Sequence, residues 1–206
     1  MKRKQFLLFA CGALLVLSGA LLVSGLTGPT ASGAASLGSE AVLHIRDYCD
    51  PATFNPAIGD PNACVRDIAP GAITFGAFVG ELTADKSVGA WRYVPDQLSL
   101  AQGATLHVSN LGGETHTFTQ VKDFGGGFVD FLNTLSGNPT PAPECAQTVN
   151  GQLVPQPPGP DNIFVSPGQT VDVSLNQEVS VKYQCCIHPW MRLTLSPRNL
   201  THNLVR

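Results

Sequence analysis

Apolar and polar positions alternate with two different periods along this chain. Phe6 to Leu26 is a nearly unbroken apolar run behind Lys2-Arg3-Lys4, and small residues follow in TGPTASGAAS. Ala41 to Ile45 is a short apolar strand candidate. Asp50-Pro51, Asn55-Pro56 and Asp60-Pro61 then mark a turn-rich loop. Phe75, Phe78, Val79 and Leu82 fall at i, i+3, i+4 and i+7, which predicts one short helix over 73–85, with Thr74 able to cap it. From Trp91 onward the period becomes two. Leu98 and Leu100 alternate, as do Leu106 and Val108, and a strand resumes from His116 to Val121. Val171, Val173 and Leu175 follow the same rule, then Val179, Val181, Tyr183 and Cys185, then Leu193 and Leu195. Short alternating strands punctuated by turns predict an all-β sandwich or barrel.

Three stretches stand outside that body. The basic, apolar, small-residue order of residues 1–34 is that of a secretory signal, with cleavage expected near Ala34 or Ala35. An uncleaved membrane anchor is the competing reading, because about 20 apolar residues span a bilayer. Residues 36–90 read as an N-terminal extension and residues 91–206 as the main domain. Residues 122–163, rich in Gly and Pro, read as an insertion that covers the body or carries function.

Composition narrows the function. Charged residues are 13% of 206, too few for a charged disordered chain or a coiled coil. The formal net charge is −3, and it becomes −6 if residues 1–34 leave with their three basic residues and no acidic one. That balance argues against nucleic-acid binding. Export places the cysteines where disulfides persist. Five of the six lie beyond the leader: Cys49, Cys64, Cys145, Cys185 and Cys186, an odd number. Cys49 and Cys64 bracket the turn-rich loop, and a bridge there adds about 3 kcal/mol; two free thiols are the alternative. Asp50, Asp60 and Asp67 match no calcium loop and read as solvated turn residues.

The informative segment is Tyr183-Gln-Cys-Cys-Ile-His-Pro-Trp-Met191. Cys185, His188 and Met191 are spaced C-x2-H-x2-M, and Met191 is the one Met besides the initiator. A thiolate, imidazoles and a weak axial thioether are the donors of a blue-copper electron-transfer site. The second imidazole should come from a neighbouring strand, where His116 opens GGETHTFTQV. The set resembles the cupredoxins, most of all amicyanin-like members with a short Cys-x-x-His-Pro-aromatic-Met loop, over roughly residues 91–198. The resemblance implies a Greek-key β-sandwich and one copper ion held by His116, Cys185, His188 and Met191. It implies an exported, periplasmic or extracellular electron carrier, not an enzyme, with redox protein partners docking at an apolar patch near His188 and Trp190; plain core packing of Pro189 and Trp190 is the alternative. A monomer is expected, with membrane attachment only through an uncleaved leader. A copper carrier or store is the alternative. A multicopper oxidase is disfavoured, since no His-x-His pair occurs, and a small copper enzyme requires that Met191 leave a position open.

Strand parity separates the adjacent cysteines. Cys185 shares its parity with Val179, Val181 and Tyr183 and faces inward, whereas Cys186 faces away and is free to bridge Cys145. Cys186 as ligand with Cys185 bridged is the rival assignment. His44, His107 and His202 read as structural histidines, and Gly125-Gly126-Gly127 as a flexible turn. Thr117 stands where many cupredoxins carry Asn, so a hydrogen bond near the thiolate is expected to differ.

Overall fold

A computed structural model describes residues 40–66, 71–176 and 178–198. The proposed leader, Asp67 and His202 lie outside the described residues. Strands β1 (Glu40–Arg46), β2 (Arg92–Val94), β4 (Thr105–Asn110) and β9 (Thr170–Ser174) form one sheet in the order β2-β1-β4-β9. Strands β3 (Gln97–Leu100), β5 (His116–Val121), β8 (Asn162–Val165), β10 (Val181–Gln184) and β11 (Arg192–Pro197) form the other, ordered β3-β11-β10-β5-β8. The chain changes sheet between β2 and β3, where Pro95 removes a ladder donor, and again from β3 to β4, β4 to β5, β8 to β9 and β9 to β10. β1 runs parallel to β4, and β3 parallel to β11; the other pairs are antiparallel. This is a Greek-key β-sandwich.

Alternation predicts the inner faces well. Leu106 and Val108 are fully buried on β4, and Leu193 and Leu195 on β11, with polar neighbours between them. Together with Leu43, Ile45, Phe118 and Tyr183 they fill the space between the sheets. Tyr183 stacks on Phe118 with ring centroids 4.2 Å apart. Val179 departs from its expected place: it precedes β10 and is exposed.

Three helices occur among the described residues, against the one expected. α2 (Phe75–Asp85) is that helix, and Thr74 caps it by accepting from the Ala77 amide. α1 (Pro51–Ile58) lies inside the segment read as a turn-rich loop. Asp50 accepts from the Ala52 amide and Pro51 occupies the first turn, so the dipeptide that signals a turn here starts a helix. α3 (Asp130–Leu135) and a hairpin of β6 (Ala146–Val149) with β7 (Gln152–Pro155) fall within residues 122–163, and β8 begins there too. That stretch is therefore folded for much of its length. Gly125, Gly126 and Gly127 are packed rather than loose. A Cβ on Gly127 would stand 1.8 Å from the Cys186 carbonyl oxygen, and the Gly127 amide donates to Asn133 Oδ1 at 2.6 Å.

The described residues of the 36–90 stretch, 40–66 and 71–90, are woven into the body. β1 lies between β2 and β4 as an inner strand. Phe54 of α1, Phe78 of α2 and Trp91 pack as one aromatic cluster, with centroids 4.7–5.6 Å apart. Cys49 and Cys64 are bridged, as are Cys145 and Cys186.

Candidate metal centre

Three donors converge where β5 begins and β10 ends. His116 is the first residue of β5, and Cys185 directly follows β10. A turn then brings the chain back: the Met191 amide donates to the His188 carbonyl at 2.9 Å, and the Cys185 amide to the Met191 carbonyl at 3.0 Å. Those two bonds close the loop and carry His188 over Cys185. His116 Nδ1 lies 3.7 Å and His188 Nδ1 3.9 Å from the Cys185 sulfur. All three side chains are buried, and Met191 is buried beside them on the same loop.

The spacing can be tested against an ion. Bonds of about 2.05 Å to imidazole nitrogen and about 2.3 Å to thiolate, set about 120° apart, place sulfur and nitrogen about 3.8 Å from each other. The two separations found, 3.7 and 3.9 Å, match the sulfur–nitrogen edges of such an arrangement, and all three donor atoms lie within 4.8 Å of one another. Cys185 is the one free cysteine among the described residues, which resolves the two cysteine assignments in favour of Cys186 as the bridged partner.

Electrostatics prepare the sulfur. Burial alone would raise the Cys185 thiol, but hydrogen bonds and charge from His116 and His188 together outweigh it, holding the thiol well below its ordinary value. The Thr117 amide points at the same sulfur, 3.4 Å away. The Thr117 hydroxyl accepts from the Cys186 amide at 2.7 Å and from the Thr119 hydroxyl at 2.9 Å. Thr117 thus clamps β5 to the strand end that carries the thiolate.

Two residues that the pattern did not single out hold the far sides of the imidazoles. Asp47 Oδ2 lies 2.8 Å from His116 Nε2, with both side chains fully buried. Asp47 also accepts from the amides of Gly113 at 2.8 Å and Glu114 at 3.2 Å. Burial raises the Asp47 carboxyl, but the bond and charge of His116 and these amides bring it below its usual range. His116 responds in kind. Burial disfavours its charged form, yet Asp47 and the Cys185 thiolate raise it to about 10. The loop reaches Asp47 because Gly112 and Gly113 have no side chains: a Cβ on Gly112 would sit 1.7 Å from Asp47 Oδ2.

Glu114 does the same for His188. Its Oε2 lies 3.4 Å from His188 Nε2 and accepts the Trp91 indole N–H. Burial first, then the neighbouring Asp47 charge, pushes this carboxyl up against the pull of His188, His116 and Trp91. Asp47, Glu114 and His116 also have donor atoms within 4.8 Å of one another. Hydrogen bonds to amides, indole and imidazole already engage them, so Asp47 and Glu114 orient the imidazoles. A lone Asp after a strand and a Glu in a Gly-Gly-Glu loop carry no spacing signal. Only the fold brings them to the imidazoles.

The other two described histidines stay apart. His107 Nδ1 pairs with Asp172 across the β4–β9 ladder at 2.6 Å, and His44 sits on β1. Trp190 is partly buried, and Phe78 of α2 packs on both Trp190 and His188, with centroids 5.9 and 6.4 Å apart. Phe78 thus brings α2 against the edge of the His188 ring.

No protein-family model matches the chain, and no curated protein matches it. Solved structures similar to it include a purple cupredoxin from Nitrosopumilus maritimus, 15% identical with a TM-score of 0.36, covering 77% of this chain and 99% of that one. A reduced Cu(I) form of an amicyanin variant is 14% identical with a TM-score of 0.32, covering 54% of this chain and 78% of that one. An oxidised amicyanin variant is 13% identical, also at 0.32. The two sheets, with the donors gathered where β5 begins and β10 ends, form the Greek-key sandwich that the sequence led one to expect.

Proposed function

We propose that this chain is a blue copper protein that carries single electrons. The observation that carries the reading is the trigonal spacing of His116 Nδ1, His188 Nδ1 and the Cys185 sulfur in a buried site. One thiolate and two imidazoles suit copper, which His116, Cys185 and His188 would hold with the Met191 thioether as a further weak donor. Bound copper supplies a one-electron Cu(II)/Cu(I) couple.

The chain's own residues supply the rest. Asp47 and Glu114 fix the imidazole planes from behind, and the closed loop from Cys185 to Met191 fixes the thiolate. Donors held this rigidly keep nearly the same positions in both oxidation states, and a small rearrangement means a low barrier to electron transfer. The Thr117 amide on the sulfur tunes the potential. Burial by Phe78 and Trp91 keeps water out.

Electrons enter and leave at the His188 end, where a redox protein docks. The chain works after export, in an oxidising compartment, which agrees with two disulfides in a small domain. It acts as a monomer and performs no catalysis of its own. Among the described residues no helix is long and apolar enough to cross a membrane.

A reversible redox titration of the copper-loaded protein tests this. The reading expects a single one-electron wave with copper retained in both states. Release of copper on reduction would instead indicate a carrier of the ion.

A further inference from the structure

The three helices leave a cavity beside the site that the electron-carrier reading does not use. It measures about 340 Å³, within the range of small-molecule pockets. Phe54 and Phe75 line it with Phe78 and Leu132, and His188 and Glu114 lie at its inner end. α1, α2 and α3 each contribute a wall, so it exists only because of the segments outside the plain sandwich.

Its polar end is built. Glu114 is 7% exposed. Its Oε2 is engaged by the Trp91 indole and faces His188, while Oε1 has no hydrogen-bond partner among the described residues. Glu114 lines the cavity, so this carboxyl oxygen can accept a hydrogen bond from a ligand that enters it. Aromatic walls favour a flat ring, because offset and edge contacts add to plain burial.

We propose that this cavity binds a small phenol, its ring among Phe54, Phe75 and Phe78 and its hydroxyl donating to Glu114 Oε1. The site stands on the cavity and the carboxyl, independently of the metal. Either protonation state of Glu114 can accept the hydroxyl. A phenol seated there lies against the His188 imidazole, which places it beside the proposed route of electrons.

The test uses p-cresol and toluene, which share a ring and differ in the hydroxyl. Each is titrated into the full chain, isotope-labelled and Cu(I)-loaded, and followed by amide NMR shifts. Saturable p-cresol shifts are expected on α1, α2, α3 and the Glu114 loop, with affinity about tenfold above toluene. Ala57→Trp, on the exposed side of α1 and lining the cavity, should abolish them while leaving the visible spectrum unchanged. Equal affinity for toluene, shifts elsewhere, or unchanged p-cresol affinity in Ala57→Trp each overturns the proposal. The same titration on metal-free protein separates the two readings, since phenol binding there persists even if the copper reading fails.

Discussion

Asp47 and His116 meet in a fully buried pair, with the carboxylate oxygen 2.8 Å from Nε2 of the imidazole whose Nδ1 faces Cys185. One ring is held on both sides. Its orientation therefore depends on a residue from the far end of β1, 69 positions away in the chain.

Removing that support should weaken the metal site. Asp47→Ala leaves His116 and the amides of Gly113 and Glu114 without their acceptor. Copper affinity should fall about 10–100-fold, the scale usual for such supports. Competition against a chelator of known affinity reads it. Asp47→Asn keeps one acceptor and should recover part of the loss, and a urea transition reports how much is due to folding.

The adjacent cysteines make separable predictions. Cys185→Ser should eliminate the intense thiolate-to-copper absorption. The double variant Cys145→Ala, Cys186→Ala should keep it. That variant opens a bridge with a sequence separation of 41 residues, which costs about 4 kcal/mol in the chain-entropy account. Visible spectra and thermal melts of both variants check the pair of outcomes.

Met191 tests the axial position. Met191→Gln should retain copper and shift the potential, because an amide oxygen is a harder donor than a thioether. Protein-film voltammetry on the variant and the native chain gives the difference directly.

Stability of the metal-free protein should depend on pH in a defined way. His116 is raised to about 10 from 6.5, so its stabilising effect is full below 6.5 and lost as pH rises through about 10. Cys185 is lowered from 9.0, so its effect is full above 9.0 and fades as pH falls. Between those limits the folded pair and the unfolded chain hold equal numbers of protons, and stability from the pair should be flat. Above pH 9 the folded state holds one proton more. Stability should then fall by about 1.4 kcal/mol per pH unit. Tyr93, raised well above 10.0 by burial and by the Cys185 charge, steepens the loss beyond that. Urea titrations of reduced, metal-free protein from pH 7 to 11 measure the limb, and Cys185→Ser should remove the plateau.

The sandwich was legible because burial repeats with the pleat. Thr105 to Asn110 alternates half-buried and buried along its whole length, as its residues suggest. The donor loop was legible because Cys185, His188 and Met191 are rare residue types packed into seven positions. α1 was not, since Pro51 and Pro56 read as turn residues until Asp50 is seen to cap the first of them. Asp47 and Glu114 were not, since their roles arise from a parallel strand pair and two glycines that allow close approach. Long-range contacts of that kind leave no local period to read.

The central claim is that one thiolate and two imidazoles hold a single copper ion in a trigonal plane. Visible absorption and electron paramagnetic resonance of the copper-loaded chain test it most directly. An intense charge-transfer band, a narrow copper hyperfine splitting and one copper per chain are the predicted results. A weak visible band with the broad splitting of ordinary tetragonal copper, or copper bound equally well after Cys185→Ser, would contradict it.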